Sequence, residues 1–189
     1  SRTASVIAEG EVHQLRTAND TTTTEAAYLE VVEAKTAALF AAASRIGAVI
    51  AERPAAEEEA LETYGRNLGI AFQLVDDLLD FSALQGELGK AVGDDFRDGK
   101  ITLPILIAFA RGDSEERAFW RRTLEDGDQG PDDLPRAIRL LDRHGAIAET
   151  RARARRYAAT AADALVAFPD SPLRRALEET AAFATARGF

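Results

Sequence analysis

Leu68-Gly-Ile-Ala-Phe-Gln-Leu-Val-Asp-Asp-Leu-Leu-Asp-Phe81 is an apolar run broken by three carboxylates, Asp76, Asp77 and Asp80. Its apolar residues recur at spacings of three and four, which predicts a helix running to about Phe81. At about 100° per residue, Asp76 and Asp80 fall within about 40° of one another on one face, Asp77 flanks them, and Gln73 sits one turn before Asp76. Like charges this close repel, and in a partly buried site they take up protons or a cation. Mg²⁺ suits them, because it binds carboxylate oxygens, keeps several waters and bridges to phosphates with only one or two protein carboxylates per ion. The competing reading is a solvated acidic patch, and Phe72, Val75, Leu79 and Phe81 around the cluster argue against it.

On both sides of this stretch the same periodicity continues, and alternating β-branched runs are nearly absent, so the chain is expected to be all-α. Residues 1 to about 17 read as the end of a helix, and the polar run from Asn19 to Thr24 breaks it. Thr22 with Glu25 reads as a capping box opening a long helix to about Ala51. Pro54 opens the acidic helix, with Glu57, Glu58 and Glu59 in its first turns. From Ser82 to Lys100 the pattern fails among Gly86, Gly89, Gly93 and Gly99, which predicts a long ordered loop or a broken helix. Further starts are expected at Thr102 with Pro104, at Asp113 with Glu116, and at Ser171-Pro172, and stops at Gly145 and Pro169. Gly10 and Gly47 read as points of close helix contact. Residues 1–189 form one expected domain.

The formal charge of −9 and a pI of about 4.8 disfavour binding to nucleic acid or anionic lipid. With no Cys, disulfides, a thiolate nucleophile and Cys-ligated zinc are excluded. The strongly apolar segment Ile101–Ala110 is far shorter than the roughly 20 residues a membrane span needs, and no signal layout opens the chain, so the cytoplasm is the expected location. No Met occurs, so Ser1 is read as a processed, cloned or truncated start with upstream sequence expected. The arginines between Arg151 and Arg156 scatter around a helix, His13 and His144 have no nucleophilic partner at a recognisable spacing, and Trp120 reads as packing.

Of 23 basic residues only Lys35, Lys90 and Lys100 are lysine. A compact ammonium acts as a point charge on phosphate, where guanidinium favours planar bidentate partners. Gly89 to Lys100 follows soon after the acidic helix, so metal and amines are expected to converge on one polyanion; the order of Gly and Lys does not fit a P-loop. Asp94 and Asp95 read as ordering metal-bound water or capping the next turn, with Asp95 placed behind a metal rather than on it.

Taken together, Phe72-Gln73-x-x-Asp76-Asp77-x-x-Asp80, Gly89-Lys90-x-x-Gly93-Asp94-Asp95, Gly99-Lys100-x-Thr102-Leu-Pro104, Lys35-Thr36 and Gly10-Glu11-x-x-Gln14 resemble the all-trans polyprenyl diphosphate synthases, over residues 5 to 110 most strongly. The resemblance implies an orthogonal helical bundle of isoprenoid synthase type around a deep central cavity, of which this chain looks like the C-terminal portion. Two aspartate-rich motifs face one another in that family, and only the second matches here. It implies Mg²⁺ on Asp76, Asp77 and Asp80, the allylic diphosphate on Lys35, Lys90 and Lys100 with Asp95 nearby, and Thr36 and Gln73 facing the developing allylic cation. The implied reaction joins isopentenyl diphosphate to an allylic diphosphate by ionisation, condensation and proton loss, in a homodimer, with an Ala-lined cavity for the tail of a long product such as a quinone side-chain precursor. The alternatives weighed are a non-catalytic subunit of a heteromeric synthase, a terpene cyclase and a helical interaction protein.

Overall fold

Helices start and stop where side chains can satisfy the orphan backbone groups at their ends. The computed structural model describes residues 2–82 and 92–186, and among the described residues every regular element is helical, with no strand. The first helix, α1, covers Arg2–Thr17. Thr24, in extended backbone, accepts from the Ala27 N–H at 3.2 Å and opens α2, Glu25–Val32. The expected Thr22–Glu25 box does not form, because the Asp20 carboxylate takes both the N–H and the hydroxyl of Thr22, at 2.8 and 2.6 Å. The cap therefore moves two residues along the chain.

A π-helical turn, Glu33–Ala37, leads into α3, Ala38–Ile50. The single regular helix expected to Ala51 is thus corrected to one that widens at Lys35 and Thr36, a distortion frequent at functional sites. Pro54 precedes α4, Ala55–Leu79, which ends with Asp80 as its C-cap. The short α5, Asp94–Arg97, leads to α6, Leu103–Arg111, with Thr102 at its N-cap position but making no side-chain cap bond, and Pro104 in its first turn. Asp113 and Glu116 form the expected capping box of α7, Ser114–Trp120. Gly145, at φ +64°, separates α8, Asp133–Arg143, from α9, Ala146–Ala164. Ser171 accepts from the Arg174 N–H at 3.1 Å at the start of α10, Pro172–Ala186.

The spine is α4, packed against α3 on one side and α9 on the other. A β-carbon at Gly65 would run into the Phe40 carbonyl, and one at Gly69 would meet the Ala37 Cα at 2.7 Å, so α4 touches the π turn and α3 backbone to backbone. Gly10 makes the close contact its position suggests, since a β-carbon there would meet the Lys35 nitrogen at 2.7 Å. Gly47 does not, for it faces open space. Trp120 is fully buried and packs edge-on against Phe96 and Phe119, at centroid distances of 6.3 and 5.2 Å. Glu116 takes His144 at 2.8 Å and Arg143 at 2.8 Å, which gives this histidine a structural partner. Among the described residues no helix is long and apolar enough to cross a membrane.

Candidate active site

The end of α1, the inner face of α2 with its π turn, the C-terminal half of α4 and the segment after α5 enclose a cavity of about 340 Å³. Lys35, Thr36, Gln73, Asp77, Asp95 and Lys100 all line it, so six of the nine residues singled out from sequence meet at one place. Asp76 and Asp80 are not among its lining residues, and Lys90 lies outside the described residues. Gln14 and Tyr28 line the cavity too, and the sequence had not marked Tyr28. Its signal was available: it sits seven residues before Lys35, hence on the same helix face.

These side chains are joined by hydrogen bonds. The Thr36 hydroxyl donates to Gln73 Oε1 at 2.9 Å, and Gln73 Nε2 donates to Asp77 Oδ1 at 2.9 Å. The other oxygen of Asp77 accepts from the Tyr28 hydroxyl at 2.5 Å. Lys100 Nζ lies 3.3 Å from Asp77 Oδ1 and 2.7 Å from Asp95 Oδ2. Lys35 Nζ donates to Gln14 Oε1 at 2.6 Å and pairs with Glu11 at 3.2 Å, so α1 aims this ammonium. Lys100 is fixed by its backbone: the Asn19 N–H donates to the Gly99 carbonyl at 3.0 Å, with Gly99 at φ +67°.

Asp77 is fully buried, and burial pushes its carboxyl up while Lys100, Tyr28 and Gln73 pull it back. Burial also opposes the charge on Lys100, but Asp77 and Asp95 outweigh it and raise the ammonium well above the ordinary lysine value. The buried Tyr28 phenol is raised by burial and by the Asp77 charge, which keeps it a donor. Asp77 is thus spent on internal partners.

Asp80 has a different task. The residue is 3% exposed and its carboxyl sits near the backbone N–H groups of Asp95 and Phe96 at the start of α5, but its Oδ2 has no hydrogen-bond partner among the described residues; its carbonyl accepts from the Gly93 N–H at 2.8 Å. Burial and the Asp95 charge raise it to about 6, against the pull of those N–H groups and Lys100. A carboxyl raised on folding binds its proton more tightly in the folded state, so stability falls as pH rises through the window between the unfolded value of 3.8 and about 6. In metal-free buffer the Asp80→Asn variant should gain on the parent by up to about 3 kcal/mol between about pH 4 and pH 7, read as urea midpoints at each pH. A constant difference across that range would rule the assignment out. Asp76, by contrast, is half-buried and has no hydrogen-bond or ion-pair partner among the described residues.

Among the described residues no three His, Asp or Glu side chains stand poised to hold a metal. Asp76 offers an uncommitted carboxylate beside Asp77, enough for an ion that draws its remaining oxygens from water and phosphate. A second, larger cavity of about 660 Å³ lies on the outer side of the π turn, lined by Val6, Ala34, Ala38, Ala41, Ala42, Ile46 and Val49 with Arg45, Glu62 and Arg66.

An all-α bundle with two lysines, an amide and acidic side chains gathered around one cavity is what the sequence led one to expect of a diphosphate-handling enzyme. The polyprenyl synthetase family model matches residues 1–141, and the chain belongs to that family. It is 41% identical over 184 residues to the octaprenyl diphosphate synthase of Haemophilus influenzae, covering 97% of this chain and 56% of that protein. With the octaprenyl diphosphate synthase of Escherichia coli K12 it shares 44% identity over 177 residues, 94% of this chain and 54% of the other. The crystal structure of a polyprenyl synthase from Caulobacter crescentus CB15 complexed with calcium and isoprenyl diphosphate superposes with a TM-score of 0.94 at 50% identity, covering 98% of this chain and 57% of that one. The chain therefore spans about half the length of the curated relatives it matches.

Proposed function

We propose that the protein to which this chain belongs is a trans-prenyltransferase that condenses isopentenyl diphosphate with an allylic diphosphate, using Mg²⁺, to make a long polyprenyl diphosphate. The observation that carries this reading is the convergence of Lys35, Lys100, Thr36 and Gln73 on one cavity, in a chain of this family. Relatives named for octaprenyl products, and a solved relative holding calcium and isoprenyl diphosphate, support it.

In this reading Lys35 and Lys100 attract the allylic diphosphate and hold it as the carbon–oxygen bond breaks. Lys90 and Asp95 belong to the same diphosphate-binding set. Asp76 is the main protein ligand for Mg²⁺; Asp77, also expected as a ligand, is committed to Lys100, whereas Asp80, expected as one too, keeps a buried Oδ2 without a hydrogen-bond partner among the described residues. When bound, Mg²⁺ would supply positive charge for the departing diphosphate. The Thr36 oxygen, its proton donated to Gln73, turns lone pairs toward the developing allylic cation. The alkene of isopentenyl diphosphate attacks that cation, and proton loss yields a chain one isoprene unit longer with free diphosphate. The Ala-lined cavity beside the π turn is the room proposed for the tail. Upstream helices carrying a first aspartate-rich motif complete the domain, and the enzyme acts as a cytoplasmic homodimer.

The test is product analysis with the full-length protein, labelled isopentenyl diphosphate and geranyl, farnesyl or geranylgeranyl diphosphate. Long polyprenyl diphosphates are expected with Mg²⁺ and none after EDTA. Absence of product from every allylic diphosphate with Mg²⁺ present would overturn the reading in favour of a non-catalytic subunit.

A further inference from the structure

The reading above leaves Tyr28 without a task, although it is one of only three tyrosines in the chain and reaches across 49 residues to touch the acidic helix. Its ring is buried in the main apolar cluster with Val32, Ile70 and Leu74, and it is 5% exposed. A hydroxyl in such a place is costly unless it is hydrogen-bonded, and the bond it makes is to Asp77 Oδ2 at 2.5 Å. We propose that Tyr28 is a positioning residue for the reacting end of the cavity, acting through Asp77 on the side-chain amide of Gln73 and so on Thr36.

Asp77, paired with Lys100, is an acceptor at both oxygens. Tyr28 occupies Oδ2, which turns Oδ1 toward Gln73 and Lys100. An acceptor at that point admits only the NH₂ end of the Gln73 amide, so its carbonyl must face Thr36. The carbonyl in turn takes the Thr36 hydroxyl proton, leaving the lone pairs of Thr36 Oγ1 as the free end of the chain at the cavity wall. Removing the phenol oxygen frees the carboxylate to rotate and share both oxygens with Lys100. The Gln73 amide is then no longer fixed, and Thr36 can present either its proton or its lone pairs. The rest of the wall does not depend on this chain, since Lys35 is held by Gln14 and Glu11 and Lys100 by Asp95.

This inference rests on the proposed prenyl transfer for its kinetic consequence, though not for its structural one. In the full-length protein, Tyr28→Phe is expected to lower kcat by about 10-fold or more while the KM for the allylic diphosphate changes less than about threefold. In a Gln73→Ala background the same substitution should cost less than about twofold, because the group through which Tyr28 acts is gone. Equal losses in the two backgrounds would overturn the proposal and leave Tyr28 a packing residue. A readout independent of turnover is the side-chain amide of Gln73, followed by NMR with ¹⁵N-glutamine. Its protons should exchange slowly in the parent and at least 10-fold faster in Tyr28→Phe, whereas unchanged exchange would overturn the proposal. Faster exchange in a protein that makes no prenyl product would uphold the role of Tyr28 and sink the proposed reaction instead.

Discussion

Lys100→Met should lower the unfolding free energy of the full-length protein by about 3–5 kcal/mol, the range for removing one partner of a buried ion pair. The methionine fills much of the same volume, so the loss reports charge rather than a cavity. Asp77, fully buried, would keep Tyr28 and Gln73 as donors but lose the one cation paired with it among the described residues, 3.3 Å away. Asp95, 2.7 Å from the same ammonium and near Asp80, would be left in an acidic pair with nothing between. Urea unfolding at neutral pH measures the loss, and adding Asp77→Asn to Lys100→Met should recover part of it by removing the stranded charge. A cost below about 1 kcal/mol, the range of exposed pairs, would show that water already screens this lysine.

The helical architecture was legible in the sequence because helix signals are local. Asp113 with Glu116, Gly145 and Ser171-Pro172 all act within a few residues of their own helix end, and each does in the structure what its position suggests, while Thr102 and Pro104 open α6 without a side-chain cap bond. Thr22 misled because Asp20, two residues before it, competes for the same hydroxyl, and a spacing rule cannot weigh two local partners. The π turn at Lys35 was not legible, for nothing in Glu33–Ala37 demands it and its Lys35 backbone faces Gly10 from another helix.

The candidate site divides in the same way. Asp77 and Asp80 are buried as a costly cluster should be, but spacing set Asp76 and Asp80 on one face with Gln73 beside Asp76, whereas Gln73 bonds Asp77 and only Asp77 of the three lines the cavity. Spacing could not tell them apart, since their separate surroundings lie on α2, on α5 and beyond it: Tyr28 and Lys100 bond Asp77, and the start of α5 lies beside Asp80. Asp80 shows the limit of the helix-position argument most clearly. It ends its own helix, yet its carboxyl is buried beside the first turn of another, with Oδ2 left without a hydrogen-bond partner among the described residues.

That difference among the aspartates predicts a kinetic order. Asp76→Asn should reduce kcat of the full-length enzyme by about 10²–10³, the scale for losing one charge that stabilises a developing transition-state charge. Its stability should stay within about 0.5 kcal/mol of the parent, since the side chain has no partner among the described residues to lose. The half-saturating Mg²⁺ concentration should rise with it, because the amide is a poorer and neutral oxygen ligand. Asp80→Asn should show the reverse profile, a pH-dependent change in stability with a much smaller loss of turnover, because its carboxyl is buried beside α5 where that of Asp76 is half-exposed. Steady-state assays across a Mg²⁺ series, run beside urea unfolding, separate the two. Undiminished turnover in Asp76→Asn would remove it from the metal site. A larger kinetic loss in Asp80→Asn than in Asp76→Asn would mean that substrate and metal reorganise α5 and draw Asp80 into the cavity, a different active site from the one the free chain displays.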